Sequence, residues 1–567
     1  MNYALLLSFF SLFCRYVIAA FGVTETAGAV QVDTGGGLTY EVNKANGDIT
    51  SLLYRGTQYQ APGKGTQINS GLGASSVSTT NLDGYVITTI KSSANPVTHY
   101  YVSKKGESRL YMATINTGPI PVGELRFITR LRKSAVPNGV KHPVADIAGG
   151  TPIEGKDVYK VGSETRCKFF SSERFIDDVV HYVHGPGSYV SLILPENAYE
   201  TASGGPFMRD INNQGLNDQQ EMYYYMNSEH LRTEQWRSGL KGPYILDFSQ
   251  KAPSNTTTTI DTSFFSKFNI PGYVSPSQRG YVSGTASGVP SKFQTVLHWF
   301  NKDYQYWAYA SNGGVFKSPA MKPGTYDMVL YKQEFAVAKS SVSVTAGGVT
   351  KKDIASTESA ATPIWRIGEF DGQPFEFKNG EKFTMMHPSD SRMSSWGGSY
   401  TVGSSTTKEF PMAIFAKIGG NATINFDLTS AQASSSTILR VGTTLSFSGG
   451  RPAPVIGSWT STPPLPQDMQ ERGITRGGYR GYGEIYEFKI PSGTLKAGKN
   501  TLILGVAGKG AVDYLSANYI VDAIELVDPK GGTTTTPVTS GSGDFSLASG
   551  TSTTHNEVHR EKLPALQ

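Results

Sequence analysis

The segment Arg126-Phe127-Ile128-Thr129-Arg130-Leu131-Arg132 has the alternation of a β-strand. Arg126, Arg130 and Arg132 fall on one face, and Leu125, Phe127 and Leu131 on the other. At the rise of an extended chain, Arg126 and Arg130 are roughly 13 Å apart. Two guanidinium forks at that spacing suit carboxylates along a polyuronide, with an ordinary solvated strand face as the alternative. In Arg166-Cys167-Lys168-Phe169-Phe170-Ser171-Ser172, continued extension would point Arg166 and Lys168 the same way. A lysine among apolar residues and beside another cation loses its proton more readily, because burial and like charge both disfavour the ammonium. Taken alone, a surface lysine is the simpler reading. Tyr223-Tyr224-Tyr225-Met226-Asn227-Ser228-Glu229-His230 puts Tyr223, Tyr225 and Asn227 on one face of a strand, with His230 just past its end. The tyrosines suit sugar contacts and the histidine suits proton transfer, although a lone histidine is more often structural.

Other chemistries find less support. His181 and His184 form an H-x-x-H pair with no evident third ligand, so no metal is assigned. Adjacent Asp177 and Asp178 would face opposite ways on a strand, while Glu173 and Asp177 could share a face and keep hydrolysis open. The chain has neither a G-x-S-x-G elbow nor a G-x-x-x-x-G-K-[ST] phosphate loop. A net charge of +5 without clustered Lys and Arg suits an acidic polymer better than nucleic acid.

The elements that must position these residues are β-strands. The chain has 567 residues, of which 17% are charged and 63 are glycine, and long helix-period stretches are absent. Leu38, Tyr40 and Val42 alternate, Asn46-Gly47 offers a hairpin turn, and Ile49 to Tyr54 resumes extension. Val86 to Lys91, His99 to Ser103 and Leu110 to Thr114 continue the pattern. The reading is all-β in three domains: a large antiparallel sandwich over 20–272, a small fibronectin- or immunoglobulin-like sandwich over 273–357, and a jelly roll over 358–528. The small sandwich is signalled by Lys322-Pro323-Gly324-Thr325-Tyr326, and the jelly roll by Trp365-Arg366-Ile367-Gly368 and the alternation from Tyr519 to Leu526. Beyond Asp528 the Gly-, Thr- and Ser-rich residues 529–567 read as a disordered tail.

The apolar run from Ala4 to Cys14, followed by Val17-Ile18-Ala19, reads as an export signal over 1–19, and it is too short to span a bilayer. Sequons at Asn255 and Asn421 fit a secreted, glycosylated protein. Of the two cysteines, Cys14 would leave with the signal, and Cys167 would stand unpaired.

Lys168-Phe169-Phe170-Ser171-Ser172 and Tyr225-Met226-Asn227-Ser228-Glu229-His230, with the arginine strand before them, resemble rhamnogalacturonan lyases of polysaccharide lyase family 4 from filamentous fungi. The resemblance runs from about Ala20 to Asp528. It implies a catalytic super-sandwich, a fibronectin-like domain and a carbohydrate-binding-like jelly roll. It also implies Lys168 as base and His230 as acid, Arg126 and Arg130 as carboxylate binders, and Tyr223 and Tyr225 as substrate contacts. The implied activity is endo-acting β-elimination in rhamnogalacturonan I by a secreted monomer, with no membrane or nucleic-acid partner. No cofactor is expected for catalysis, and a structural calcium is conceivable but unplaced. Family members carry disulfides in the catalytic domain, which this chain cannot form, and tend to have a small polar residue at the position of Cys167. A non-catalytic carbohydrate-binding protein and a glycoside hydrolase are the competing readings.

Overall fold

A computed structural model describes residues 21–528 apart from 119, 121–123, 140–145, 231–232, 255–259, 359–361, 384–385, 465–472, 482 and 509–511. The expected signal over 1–19, the tail over 529–567 and the Asn255 sequon lie outside the described residues. Asn421 is exposed, just ahead of the strand Ala422–Leu428.

Strand alternation in the sequence becomes sheet structure wherever one face must be buried. Leu38–Asn43 buries every second residue, and with Ala29–Asp33 and Ile49–Tyr54 it forms the centre of a five-stranded antiparallel meander. Gly47 turns this chain at φ +78°, and a Cβ there would lie 2.4 Å from Ile90. A seven-stranded sheet runs in the order Val180–Gly185, Ser188–Ile193, Gly239–Ser249, Arg109–Asn116, Val97–Lys104, Tyr85–Ser92 and Ser75–Leu82. A four-stranded sheet orders Asn213–Gly215, Gln219–Asn227, Leu125–Arg132 and Gln67–Ile68. Both contribute to one apolar core containing Leu110, Met112, Phe127, Tyr224 and Tyr244. A small sheet of Thr151–Glu154, Val158–Val161 and Glu164–Cys167 stands apart from them.

The second domain is a sandwich around Trp299, Met328 and Leu330. One of its two four-stranded sheets orders Gln305–Tyr309, Thr295–Phe300, Gly324–Lys332 and Phe335–Val344. The third pairs two five-stranded sheets, one built on Asn518–Val527 between Trp365–Gly368 and Thr437–Phe447, the other on Ala422–Leu428, Gly498–Ala507 and Arg451–Ile456. The all-β architecture expected from the sequence is the one found.

All three domains meet at Glu334, whose side chain is fully buried. From the second domain it accepts hydrogen bonds from Arg174 of the first at 3.3 Å and from Gln373 and Tyr479 of the third at 2.9 and 2.6 Å. Arg480 lies 3.4 Å from its other oxygen. Removing one partner of a buried ionic group leaves the remaining charges desolvated and uncompensated. Glu334→Ala is therefore expected to lower stability by about 3–5 kcal/mol. Urea unfolding followed by tryptophan fluorescence measures this, and an unchanged midpoint would show that the junction does not hold the domains together.

Candidate active site

The site forms where the four-stranded sheet faces the small three-stranded one. Leu125–Arg132 pairs antiparallel with Gln219–Asn227, setting Arg126 opposite Tyr225 and Arg130 opposite Glu221. A bulge between Leu125 and Arg126 re-aims the chain beside Arg126. Its guanidinium pairs with Glu124 at 2.8 Å, hydrogen-bonds the Tyr225 hydroxyl, and lies over the Tyr225 and Tyr223 rings at 5.4 and 5.8 Å. The Nε–H is buried and has no hydrogen-bond acceptor among the described residues, which leaves part of the fork open. Arg130 is 6% exposed and sits deeper, donating to Glu221 at 3.1 Å and to the carbonyl of Gly65 at 2.7 Å. Tyr223 and Tyr225 stack at 5.9 Å and are buried, with the Tyr223 hydroxyl on Glu221.

The expected extension past Cys167 does not occur. The strand Glu164–Cys167 stops there, and Lys168–Ser171 turns into a 3-10 helix, with the Lys168 N–H donating to the carbonyl of Asp157 at 3.0 Å. Arg166, paired across the small sheet with Tyr159, sends its guanidinium to the carbonyl of Asp146 at 2.7 Å. The Lys168 ammonium lies over the Tyr159 ring at 5.8 Å. Its pKa is lowered, by burial first and by Arg126, against the pull of Asp157, Glu221 and Glu124. Phe169 meets His230 edge-on at 5.4 Å, so the helix that begins at Lys168 touches the histidine.

His230 is held from both sides. Its Nδ1 is 3.2 Å from each carboxylate oxygen of buried Asp210, and its Nε2 is 4.0 Å from Asp157. Burial works against the imidazolium, but the Asp210 charge and hydrogen bond and the Asp157 charge outweigh it, and the pKa is raised. The structure thus gathers Lys168, His230, Arg126, Tyr223 and Tyr225 into one cluster, with Arg130 behind them.

Profiles of three families match in sequence: "Rhamnogalacturonan lyase B, N-terminal" over residues 21–272, "Polysaccharide lyase family 4, domain II" over 278–352, and "Polysaccharide lyase family 4, domain III" over 363–526. The chain is 47% identical over 528 residues to rhamnogalacturonate lyase A of Emericella nidulans, covering 92% of this chain and 98% of that protein. It is 48% identical over 531 residues to rhamnogalacturonate lyase A of Aspergillus aculeatus, covering 92% and 99%. The chain belongs to polysaccharide lyase family 4.

The residues set aside in the sequence lie elsewhere in this family 4 lyase. Glu173 and Asp177 do not share a strand face, because the chain leaves the helix as a loop there. Asp177 is bound by Arg174 and by the Tyr309 hydroxyl at the junction with the second domain. His181 and His184 take opposite faces of Val180–Gly185, His181 buried against Asp178 at 2.8 Å and His184 stacked on Tyr189. Among the described residues no three His, Cys, Asp or Glu side chains are grouped to hold a metal ion. Cys167 is buried near the carbonyl of Thr475 at 3.6 Å, and burial pushes its thiol pKa up. Asp157, Asp210, Glu124 and Arg476 were not evident from the sequence, since their contacts depend on the fold.

Because Asp210 raises the His230 pKa, the protonated histidine stabilises the fold fully below the ordinary imidazole pKa. That contribution is lost as pH rises through the raised value. In Asp210→Asn the His230 imidazole should titrate at lower pH, and stability should fall most on the acidic side of neutrality. An NMR titration of ring-labelled histidine reads the first effect, and an imidazole pKa equal to that of the parent would refute the pairing.

Proposed function

We propose that this family 4 lyase is a secreted enzyme that cleaves the α-1,4 bond between rhamnose and galacturonate inside the rhamnogalacturonan I backbone by β-elimination. Lys168 removes the C5 proton of galacturonate, and His230 protonates the departing C4 oxygen. The observation that carries this reading is the packing of the helix that begins at Lys168 onto His230 through Phe169, with Lys168 pushed toward its neutral form and His230 toward its charged form. The relatives' names, rhamnogalacturonate lyase A, supply the substrate class.

A proton α to an ionised carboxylate is weakly acidic, because its removal adds a second negative charge to the same centre. Positive charge placed at the carboxylate stabilises the enolate-like transition state. Arg126, with its partly unsatisfied fork, is the group to supply that charge, and Arg130 adds a second cation behind it. Lys168 in its neutral form takes the proton on Nζ as the C4–O bond breaks and the double bond forms. His230 presents Nε2 to the leaving oxygen, since Asp210 occupies Nδ1. Arginine does here what a cation does in a metal-dependent lyase, so no metal enters the proposed chemistry. The tyrosine pair shapes the wall beside Arg126. The expected signal and the exposed Asn421 sequon support export.

The test is ultraviolet absorbance on a rhamnogalacturonan backbone with chelator present. The parent should generate the absorbance of a double bond conjugated to the carboxylate, with products of intermediate length first. Lys168→Ala and His230→Ala should each reduce kcat by about 10²–10⁴-fold while circular dichroism stays unchanged. New reducing ends without the absorbance would mean hydrolysis, and near-parent turnover in either variant would remove that residue from the mechanism.

A further inference from the structure

The third domain reaches the site through the small sheet that leads into Lys168. Asp390 accepts hydrogen bonds from the Thr165 N–H and hydroxyl at 2.8 and 2.7 Å, and the Thr475 hydroxyl donates to Glu154 at 3.0 Å. The next residue, Arg476, sends a largely buried guanidinium to Asp157 at 3.1 Å and approaches Glu154 at 3.6 Å. Asp157 is the residue whose main-chain carbonyl receives the Lys168 N–H.

We infer that Arg476 is a positioning residue for the reaction: it holds the Asp157 carboxylate toward the third domain, 4.0 Å from the Nε2 of His230 and short of a hydrogen bond. The inference rests on the reading of His230 as the acid. Asp210 occupies Nδ1, so Nε2 is the nitrogen left to deliver a proton. A carboxylate closing on Nε2 would occupy the direction of the leaving oxygen and retain the proton. The Arg476 guanidinium competes for that carboxylate at hydrogen-bonding distance.

Asp157 raises the pKa of both Lys168 and His230, whereas Arg476 lowers that of His230. The other charged groups facing the pair are Asp210 on His230, Arg126 and Glu221 on Lys168, and Glu124 on both. Glu154, on the far side of Arg476, also faces His387 at 3.5 Å. Removing Arg476 releases Asp157 to act on base and acid together.

The test compares Arg476→Gln, Asp157→Asn and the double variant, with the His230 resonance assigned by its loss in His230→Gln. In Arg476→Gln, His230 should titrate higher by about half a unit or more. The whole pH profile of kcat/KM should move to higher pH with its shape retained. Asp157→Asn should move both the other way, and the double variant should return His230 close to the parent. An unchanged His230 titration in folded Arg476→Gln would overturn the inference, as would a rise that persists in the double variant. If Arg476→Gln does not fold, Asp157→Asn still decides: a His230 pKa equal to the parent's refutes the role of Asp157. The titration is read without turnover, so active His230→Ala would remove the assignment of the acid, a result distinct from failure of the Arg476 contact.

Discussion

A lysine can be neutral near physiological pH only where water is scarce and nearby negative charge is already answered by other cations. That constraint organises this site. Four carboxylates surround Lys168 and His230, and each has a cationic partner: Glu124 in Arg126, Glu221 in Arg130, Asp210 in His230 and Asp157 in Arg476. The pairing weakens their combined field at Lys168, so desolvation prevails and the pKa falls. The same pairs keep four buried or half-buried cations from destabilising the fold, since each charge taken out of water has a partner within about hydrogen-bonding range. Electrostatic balance and catalytic readiness are thus one arrangement.

The arrangement also accounts for the contacts of the third domain. The sheet leading into Lys168 has three strands of four residues each, with Val158 and Cys167 as its own apolar cluster. So small a sheet has little stability by itself. Asp390, Thr475 and Arg476 grip its strands and turn from the third domain, while Arg209 of the first domain reaches the Ser172 carbonyl behind the 3-10 helix. Arg209 binds the Tyr479 hydroxyl as well, which ties the residue beside Asp210 to the buried Glu334 junction. The third domain is therefore part of what holds Lys168 in place, whatever else its surface does.

Strand alternation made the fold legible, because a sheet with one covered face writes its burial into every second residue, as Leu38, Tyr40 and Val42 do. Alternation is uninformative where both faces are covered. Tyr223 and Tyr225 read as hydroxyls over a groove, yet they are buried, in a strand whose last eight residues are all buried. Nor does a strand pattern announce its own end: nothing in Arg166-Cys167-Lys168 marks the turn into the 3-10 helix that begins at Lys168. The charges that tune the site come from distant stretches of chain. Asp210 is twenty positions from His230, and Arg476 belongs to another domain. Their types were visible from the start, but their juxtaposition exists only once the sheets have packed.

The direction of each influence explains why several charges are needed and two do not suffice. With ordinary values near 10.4 and 6.5, the state holding a neutral lysine and a charged histidine is disfavoured against its reverse by about 10⁴. Each unit by which the two pKa values approach makes that state tenfold more populated. Asp157 cannot produce this approach, because it raises both groups. Burial depresses Lys168 most and Arg126 adds to it, while Asp210 raises His230. Burial also depresses the histidine, so the gap closes only because Asp210 touches Nδ1 directly while the carboxylates near Lys168 have other partners. Selective pairing, rather than the total charge of the site, moves Lys168 and His230 in the opposite directions that the proposed base and acid require.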